Sequence, residues 1–471
     1  MLIFRHSGWS LAMRKLEAAT LCLIAVLFIL WPIPHTITAR DALILVLLGL
    51  VTYLAYANVH DGVADLISQL RVPIGIYCAF SIWIFVVAVF ISDDPRWSLD
   101  EIRGQWFKPA IVATIGGLLP LALPGSLWRR RVVLAILSAF LVHVVYVDWV
   151  GFEALHRTGS AQIRASGLTE GPDKSSYLAN QLVMFLLAEV VFRTTCGRRM
   201  LPVSTLTLSL LMMASLSGVF FTSSRNGLME IVFGFLLACI VFLSMNRSRL
   251  RRPVVAAVAV LLLFIPVVQG LLAYEADGRW RAVVDTIPIA LDTETNKAWL
   301  DEQKYPLPKL QNGTNVEVST YYRVAWIKEG AILALENPLG SGFGRNVFGR
   351  ARMQKYGEGG TGYSHSGLID LAIGTGIPGL ILWATFLVSL FRMAYSELIV
   401  SPNYHALLLL LMVGSFGFRM LVDSVMRDHM FQTFMFVIAM LATTIALERS
   451  AQGKPTLLVT DAIGRHKAQY P

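Results

Sequence analysis

Long apolar runs alternate with short polar segments along almost the whole chain. About twelve of these runs approach or exceed the roughly 20 residues that a helix needs to span a bilayer. They lack the period-2 alternation of apolar and polar residues that the strands of a membrane barrel show. We therefore predict an all-α polytopic membrane protein with about twelve transmembrane helices. The predicted spans are 17–34, 41–58, 73–91, 107–125, 132–150, 175–193, 203–221, 227–245, 253–272, 366–391, 404–422 and 429–447.

A polar stretch of about 90 residues separates the ninth predicted span from the tenth, and no other insertion approaches this size. It divides the chain into four predicted regions: nine helices, one large loop, three helices and a tail. These regions are 1–272, 273–365, 366–447 and 448–471.

Two segments of the large loop are predicted to be helical. In the first, 320–336, apolar residues recur at Val324, Ile327, Ala331 and Leu335, which is helical spacing. Its N-cap is predicted at residue 319 or 320, which are a serine and a threonine. The second helix is short and basic and covers 347–356, whereas 292–318 shows no period and is predicted to be loop. We expect the two helices to lie on the membrane surface and to cover a cavity between the spans.

Composition excludes a soluble protein, because 55% of the residues are hydrophobic, 15% are charged and the mean hydropathy is +0.60. The formal net charge is +9, but the lysines and arginines are scattered among loops. This distribution argues against nucleic acid as a partner. The four cysteines all fall in or beside apolar segments, and we expect them to form neither disulfides nor a metal site.

Lysine and arginine accumulate in alternate short loops, which fixes the expected orientation in the membrane. The richest clusters are Arg129–Arg131 and the four arginines between 247 and 252. If these loops are cytoplasmic, both termini are cytoplasmic and the large loop lies outside. Long loops cross the membrane regardless of their charge, so the cations of the large loop do not contradict this orientation.

His365 stands where the polar loop meets the tenth predicted span, after a glycine-rich segment that includes Gly360 and Gly362. A lone histidine in such a place is more often hydrogen-bonded and inert. Because its pKa normally lies near neutrality, it is also suited to act as a general base or, when protonated, to bind an anion.

Cations from four separate segments are expected on the same side of the membrane as His365. Each alone is typical of a solvated or snorkelling side chain, but together they predict a phosphate-bearing ligand, because guanidinium forks match phosphate oxygens. These residues are Lys108, Arg164, Arg225 and Arg323.

Arg419, Asp423 and Arg427 follow at intervals of four residues on the eleventh predicted span and its exit. Charged residues at this depth are costly and are normally paired. We expect an internal salt bridge between neighbours at i and i+4, and the group is also placed to orient a site residue.

Several common catalytic motifs do not occur in the sequence. There is no paired-carboxylate glycosidase pattern, DxD or HExxH metal motif, P-loop or GxSxG elbow. Any reaction is therefore predicted to rely on cations and a base, without a metal or cofactor. A substrate with a good leaving group, such as a pyrophosphate, suits this chemistry.

The order of the motifs resembles the O-antigen ligase and O-antigen polymerase superfamily of bacterial inner-membrane proteins. The resemblance rests on RASG at 164–167, SRNG at 224–227, NPLGSGFG at 337–344 and HSGLIDLAIGTGIPGL at 365–380. It is closer to the ligase branch. One departure is Ser366, because in the family the residue after the histidine is often asparagine.

The resemblance implies a GT-C-like, metal-independent glycosyltransferase in the inner membrane. It would transfer a polysaccharide from undecaprenyl pyrophosphate to a sugar hydroxyl of the lipid A-core acceptor on the periplasmic face. By the same resemblance His365 would be catalytic, as base or as pyrophosphate contact. The residues expected to bind the pyrophosphate are Arg164, Arg225, Arg323 and Lys108, and those expected to support the site are Arg157, Asp423 and Arg427.

Two alternatives stay open. The first is a polymerase of the same superfamily, which would join repeat units on the lipid carrier. The second is a transporter of lipid-linked sugars. Transporters usually carry internal repeats with broken helices at corresponding places in two halves, and the sequence shows no such repeat.

Overall fold

The computed structural model describes residues 11–59, 63–160, 163–358 and 360–451, and over these residues it is helical without a β-sheet. The prediction of an all-α polytopic membrane protein is confirmed. Residues 452–471 of the predicted tail lie outside the described part. The helices are α1 (Leu11–Leu30), α2 (Ile37–Asn58), α3 (Val63–Val86), α4 (Pro95–Ile102), α5 (Lys108–Ala122), α6 (Ser126–Thr158), α7 (Pro172–Cys196), α8 (Thr205–Thr222), α9 (Arg225–Met245), α10 (Pro253–Ala276), α11 (Val283–Leu291), α12 (Val318–Glu336), α13 (Val347–Tyr356), α14 (Gly367–Val400), α15 (Tyr404–Val422) and α16 (Asp428–Ala451).

Ten helices of the described part are long and apolar enough to cross a membrane: α2, α3, α6 to α10, and α14 to α16. The other two predicted spans correspond to α1 and α5. α1 carries Arg14, Lys15 and Glu17 near its start, and α5 has 15 helical residues after a π-helical turn at Arg103–Phe107. Length and composition thus support ten of the twelve predicted spans within the described residues, and the membrane spans at α1 and α5 stay predictions.

Polar residues that precede the apolar runs explain where several helices begin. The side chain of Ser224 accepts a hydrogen bond from the backbone of Gly227, and Asn403 caps α15 in the same way through Ala406. Such caps satisfy backbone N–H groups that have no partner within the helix. Ser366 caps α14, so the residue that follows His365 has a structural role.

α15 carries a fully buried arginine in its last turn. Arg419 and Glu230 are both fully buried, with Nη1 of the arginine 2.9 Å from Oε2 of the glutamate. The other end of the guanidinium lies 2.8 Å from Asp423 and donates to the carbonyl oxygen of Asp173 at 3.0 Å. The predicted pair at 419 and 423 is confirmed, and Glu230 is an additional partner. α15 ends at Val422, so the helical spacing does not continue to residue 427.

α14 is interrupted at Gly376, where φ is 68° and ψ is −176°. The NPLGSGFG segment docks against this interruption. Three backbone hydrogen bonds join the two motifs: Ser341 N to Ile373 O at 2.9 Å, Gly342 N to Gly374 O at 3.1 Å, and Ile377 N to Pro338 O at 2.8 Å. The two motifs that stand out in the sequence are thus parts of one structural unit, which fixes the large loop to the first half of α14.

The described residues between α10 and α14 include three α-helices, of which α12 and α13 occupy the predicted positions. The predicted N-cap of the first is wrong, because Glu317 caps it by accepting from the Thr320 backbone N–H at 2.7 Å. α11 was not predicted. Large aromatic residues, including Trp299, Trp326 and Phe348, form a hydrophobic core that joins these helices to α14.

We expect Gly376→Ala to destabilise the protein much more than Gly357→Ala. Both glycines have φ near 69°, but a Cβ at 376 would lie 2.4 Å from the backbone of Leu339, whereas a Cβ at 357 would meet nothing within 4 Å. Backbone strain and overpacking predict a loss of about 2–6 kcal/mol at 376, against about 1–2 kcal/mol at 357. Thermal unfolding of the two variants in detergent measures the difference. Equal losses would show that the docking of the two motifs is not tight.

Candidate functional site

Four arginines line one cavity of about 130 Å³ at the end of the bundle where α8 meets α9. The elements that line the cavity are distant in sequence, and they include the N-terminal end of α7 and the first turns of α12. The lining residues are Arg164, Pro172, Asp173, Ser223, Ser224, Arg225, Arg279, Ser319 and Arg323. The structure therefore brings together three of the four cations predicted to share a site, and it adds Arg279.

Arg225 is the first residue of α9 and is held by α12. Its Nη2 lies 2.8 Å from Oε2 of Glu317, and its Nη1 donates to the hydroxyl of Thr320 at 3.1 Å. The side chain is 9% exposed. Because the Ser223–Ser224 turn sets the direction of α9 and Glu317 fixes the guanidinium, Arg225 is oriented without a ligand.

Arg323 lies on α12 and faces α7 and α9. Its Nη1 donates to Oδ1 of Asn226 at 2.6 Å, whereas its Nη2 is 3.9 Å from the Asp173 carboxylate. Burial lowers the pKa of the guanidinium from its ordinary value, although the group remains charged at neutral pH. The contact with Asp173 is too long for a hydrogen bond, so an anionic ligand can compete for this end of the fork.

Arg164 reaches the cavity because its backbone is left-handed, with φ of 54°. The next residue, Ala165, donates its N–H to the carbonyl of Phe221 at 2.9 Å, which fixes the segment to the end of α8. Gly167 also has positive φ, and a Cβ there would lie 2.6 Å from Val147. The RASG motif is therefore a tight bend that presents one arginine.

Arg279 is the residue that the sequence analysis missed. It lies in a short 3₁₀ turn directly after α10, and its Nε and Nη2 donate to Asp277 at 2.8 Å and 2.6 Å. The hydrogen bond with Asp277 raises the pKa of Arg279. Its Nη2 also donates to the carbonyl of Ser223. The sequence did contain a signal for this residue, because Arg279, like Arg225, lies just past the end of a predicted span.

His365 lies beside the cavity rather than in its lining. Its ring stacks on Trp326, with centroids 5.5 Å apart and planes 8° from parallel, and it meets the ring of Tyr363 in a T-shaped contact with centroids 4.7 Å apart. Burial, together with the positive charge of Arg323, lowers its pKa to about 4. The imidazole is therefore neutral at physiological pH and can accept a proton.

The backbone of His365 is also unusual, since φ is 59°. Non-glycine residues in this region cost free energy and are concentrated at functional sites. The α15–α16 connection holds the neighbouring chain: Gly367 N–H donates to the Asp423 carbonyl at 3.0 Å, and Arg427 lies 4.0 Å above the ring of Tyr363. Asp423 and Arg427 thus contact the residues that position His365.

Two predicted site residues lie away from the cavity. Lys108 forms a salt bridge with Asp41 on α2 at 2.7 Å. Arg157 pairs with Glu153 on its own helix, and its side chain is 73% exposed. The sequence could not show that nearby carboxylates pair with both side chains.

Carboxylates do not dominate the site. Within the described residues, no three His, Cys, Asp or Glu side chains are arranged to hold a metal ion. The cavity lining contains Asp173 as its one carboxylate among the described residues and presents mainly guanidinium and hydroxyl groups. This chemistry fits a ligand with phosphate oxygens.

We expect Arg279→Ala to weaken the binding of inorganic pyrophosphate by about 10- to 100-fold, since a charge-assisted hydrogen bond contributes roughly 1.5–3 kcal/mol. Isothermal titration of the detergent-solubilised protein measures the affinity. Arg281→Ala is the matched control, because Arg281 is exposed and two residues away. Equal weakening by the two variants would mean that overall charge, rather than the cavity, binds the anion.

A second prediction concerns His365 and pH. Because its pKa is lowered to about 4 in the folded protein from an ordinary 6.5, the unfolded chain binds the proton first as pH falls. The neutral histidine therefore stabilises the fold fully above pH 6.5, and this stability is lost between pH 6.5 and about 4. The melting temperature of the wild type should fall relative to that of His365→Gln across this window. A constant difference would show that His365 is not held in its neutral form.

Residues 210–384 match the family model described as O-antigen ligase. The matched range runs from α8 into α14 and includes Arg225, Arg279, Arg323 and His365, whereas Arg164 precedes it. A search among curated proteins found no match.

Proposed function

We propose, from the premise that this chain carries the domain of the O-antigen ligase family at residues 210–384, that it is a metal-independent glycosyltransferase. It transfers a polysaccharide from undecaprenyl pyrophosphate to a sugar hydroxyl of lipid A-core. The reaction takes place on the periplasmic face of the inner membrane, with both termini in the cytoplasm. The observation that carries this proposal is the cavity in which four arginines lie beside a neutral histidine.

The cavity is suited to a pyrophosphate. Arg225 and Arg279 are held in fixed directions by Glu317 and Asp277, so little conformational entropy is lost when they bind a ligand. Arg323 has one end of its fork 3.9 Å from Asp173 and available to phosphate oxygens. The pyrophosphate would lie between these groups and Arg164.

A second groove supports a lipid-linked donor. It shares Ser223, Ser224 and Arg225 with the arginine cavity. From there it continues between α8, α9 and α10 along a mostly apolar wall, which comprises Val219, Phe220, Leu228, Ala273 and Ala276. A polyprenyl chain requires apolar contacts next to the site of its pyrophosphate, and this groove offers them.

The chemistry follows from these positions. A ring nitrogen of His365 takes the proton of the acceptor hydroxyl as the hydroxyl oxygen attacks the anomeric carbon of the donor sugar. The bond between that carbon and the pyrophosphate oxygen breaks, and the electron pair leaves with the pyrophosphate. Negative charge on the leaving group grows along this path, so fixed guanidinium groups stabilise the transition state more than the ground state. If His365 instead contacts the pyrophosphate, the N–H of its neutral ring donates to a phosphate oxygen.

The same geometry would serve a polymerase, which differs in its acceptor. The acceptor of a polymerase is a repeat unit on a second lipid carrier, so the two activities leave different products when they fail. A transporter would bind the donor at the same arginines without needing a base.

We expect His365→Ala, expressed in the native host in place of the wild-type chain, to abolish transfer. The lipopolysaccharide then carries core without polysaccharide, while long polymer accumulates on the lipid carrier. Electrophoresis of both fractions, with the variant's abundance in the membrane checked, measures the result. His156→Ala, at an exposed position on α6, serves as the control and should leave both fractions normal.

The alternatives give distinct results in the same experiment. Core that carries a single repeat unit would identify a polymerase. Normal glycan in both fractions would overturn the catalytic role of His365.

A further inference from the structure

The backbone of His365 depends on its surroundings for its conformation. Its φ of 59° lies in the left-handed region, which costs free energy for a residue with a Cβ. Because the backbone sets the direction of the Cα–Cβ bond, relaxation to an ordinary φ would swing the imidazole away from Trp326, on which it stacks. Contacts of the neighbouring residues must therefore hold this segment in place.

Asp370 binds the residue directly before His365. It lies in the first turn of α14, and its Oδ1 accepts the backbone N–H of Ser364 at 2.8 Å. Its Oδ2 accepts the hydroxyl of Ser424 at 2.5 Å, in the connection between α15 and α16. Both carboxylate oxygens thus bind groups outside α14, so this side chain does more than complement the dipole of a helix N-terminus.

The two serines that flank His365 are also bonded to each other. The hydroxyl of Ser364 donates to the carbonyl of Ser366 at 3.0 Å, and its oxygen accepts the N–H of Ser366 at 3.2 Å. Both serines are buried. Asp370 therefore attaches a small closed unit, with His365 at its middle, to α14 and to the α15–α16 connection.

We propose that Asp370 is a positioning residue for the transfer reaction, which holds the 364–366 segment in the conformation that presents His365, and does so through its two hydrogen bonds. This inference rests on the proposed function, in which His365 takes the proton of the acceptor hydroxyl. A displaced base slows the chemical step. Donor binding stays intact, because Glu317 and Asp277 hold the arginines of the cavity independently.

The first test compares two variants of the purified full-length protein, supplied with a polyprenyl-pyrophosphate-linked polysaccharide and lipid A-core. We expect Asp370→Ala to lower kcat by about 10- to 100-fold. The KM for the donor and the affinity for inorganic pyrophosphate should stay within about twofold of the wild-type values. Asparagine keeps an acceptor for Ser364 and can donate to the Ser424 hydroxyl, so Asp370→Asn should recover most of the rate.

Hydrogen–deuterium exchange gives a second readout that does not depend on activity. In Asp370→Ala the amides of residues 364–367 should exchange faster than in the wild type, whereas those of α9 should not change. A wild type that transfers nothing, together with faster exchange in the variant, would overturn the proposed function and still support the hold of Asp370 on this segment.

Two further variants separate positioning from stability. Asn403→Ala removes the cap of α15, so it should lower the melting temperature and leave the kcat of the folded protein unchanged. If Asp370→Ala does not fold, Ser424→Ala removes one of the two hydrogen bonds and should cause a smaller fall in kcat with the same change in exchange.

Four results would overturn the proposal. Unchanged exchange and kcat in Asp370→Ala would show that its hydrogen bonds do not hold the segment. A rise in the donor KM that accounts for the lost activity would place the effect in donor binding, and an equal loss of kcat in Asn403→Ala would assign it to stability. An equal loss in Asp370→Asn would show that the charge of Asp370 acts rather than its hydrogen bonds.

Discussion

The buried guanidinium of Arg419 is the interaction on which the other features depend. It joins three helices in the interior of the bundle: α9 through Glu230, α7 through the Asp173 carbonyl and the Ser176 hydroxyl, and the end of α15 through Asp423. Removing one partner of such a network leaves a charge buried without compensation, which typically costs about 3–5 kcal/mol.

These same three helix ends surround the candidate site. Asp173 lines the arginine cavity, Arg225 begins α9, and the Asp423 carbonyl binds the chain two residues after His365.

Positions in the site are thus set by contacts outside it. The NPLGSGFG segment docks on the break in α14, which places α12 and its Arg323 against the N-terminal ends of α7 and α9. Glu317 then connects α12 to Arg225, and Trp326 provides the face on which His365 stacks. A cavity built in this way can hold four guanidinium groups close together because most of them have a partner that neutralises part of their charge. Nη2 of Arg323 lies 3.9 Å from Asp173, too far for a hydrogen bond, so the cavity still favours an anion.

The sequence predicted the features that depend on local pattern. The apolar runs identified the membrane helices, helical spacing identified α12, and the resemblance identified the arginines of RASG and SRNG and the histidine. Features set by tertiary contacts were missed. Arg279 was missed although it lies just past the end of a predicted span, and the sequence did not show that Lys108 would pair with Asp41 and Arg157 with Glu153. Glu230 appeared as one acidic residue in an apolar helix, and its role depends on a partner 189 residues away.

The central claim is that the arginine cavity holds the pyrophosphate of a donor while a neutral histidine activates the acceptor. Reconstitution of the purified protein with a polyprenyl-pyrophosphate-linked polysaccharide and lipid A-core, in the presence of a metal chelator, tests it most directly. Wild-type protein should form the core-linked polysaccharide, and Arg323→Lys, which keeps the charge but loses the fork, should be slower by roughly 10²–10³-fold. Transfer by Arg323→Lys at the wild-type rate, or no transfer by the wild type until a metal is restored, would contradict the account.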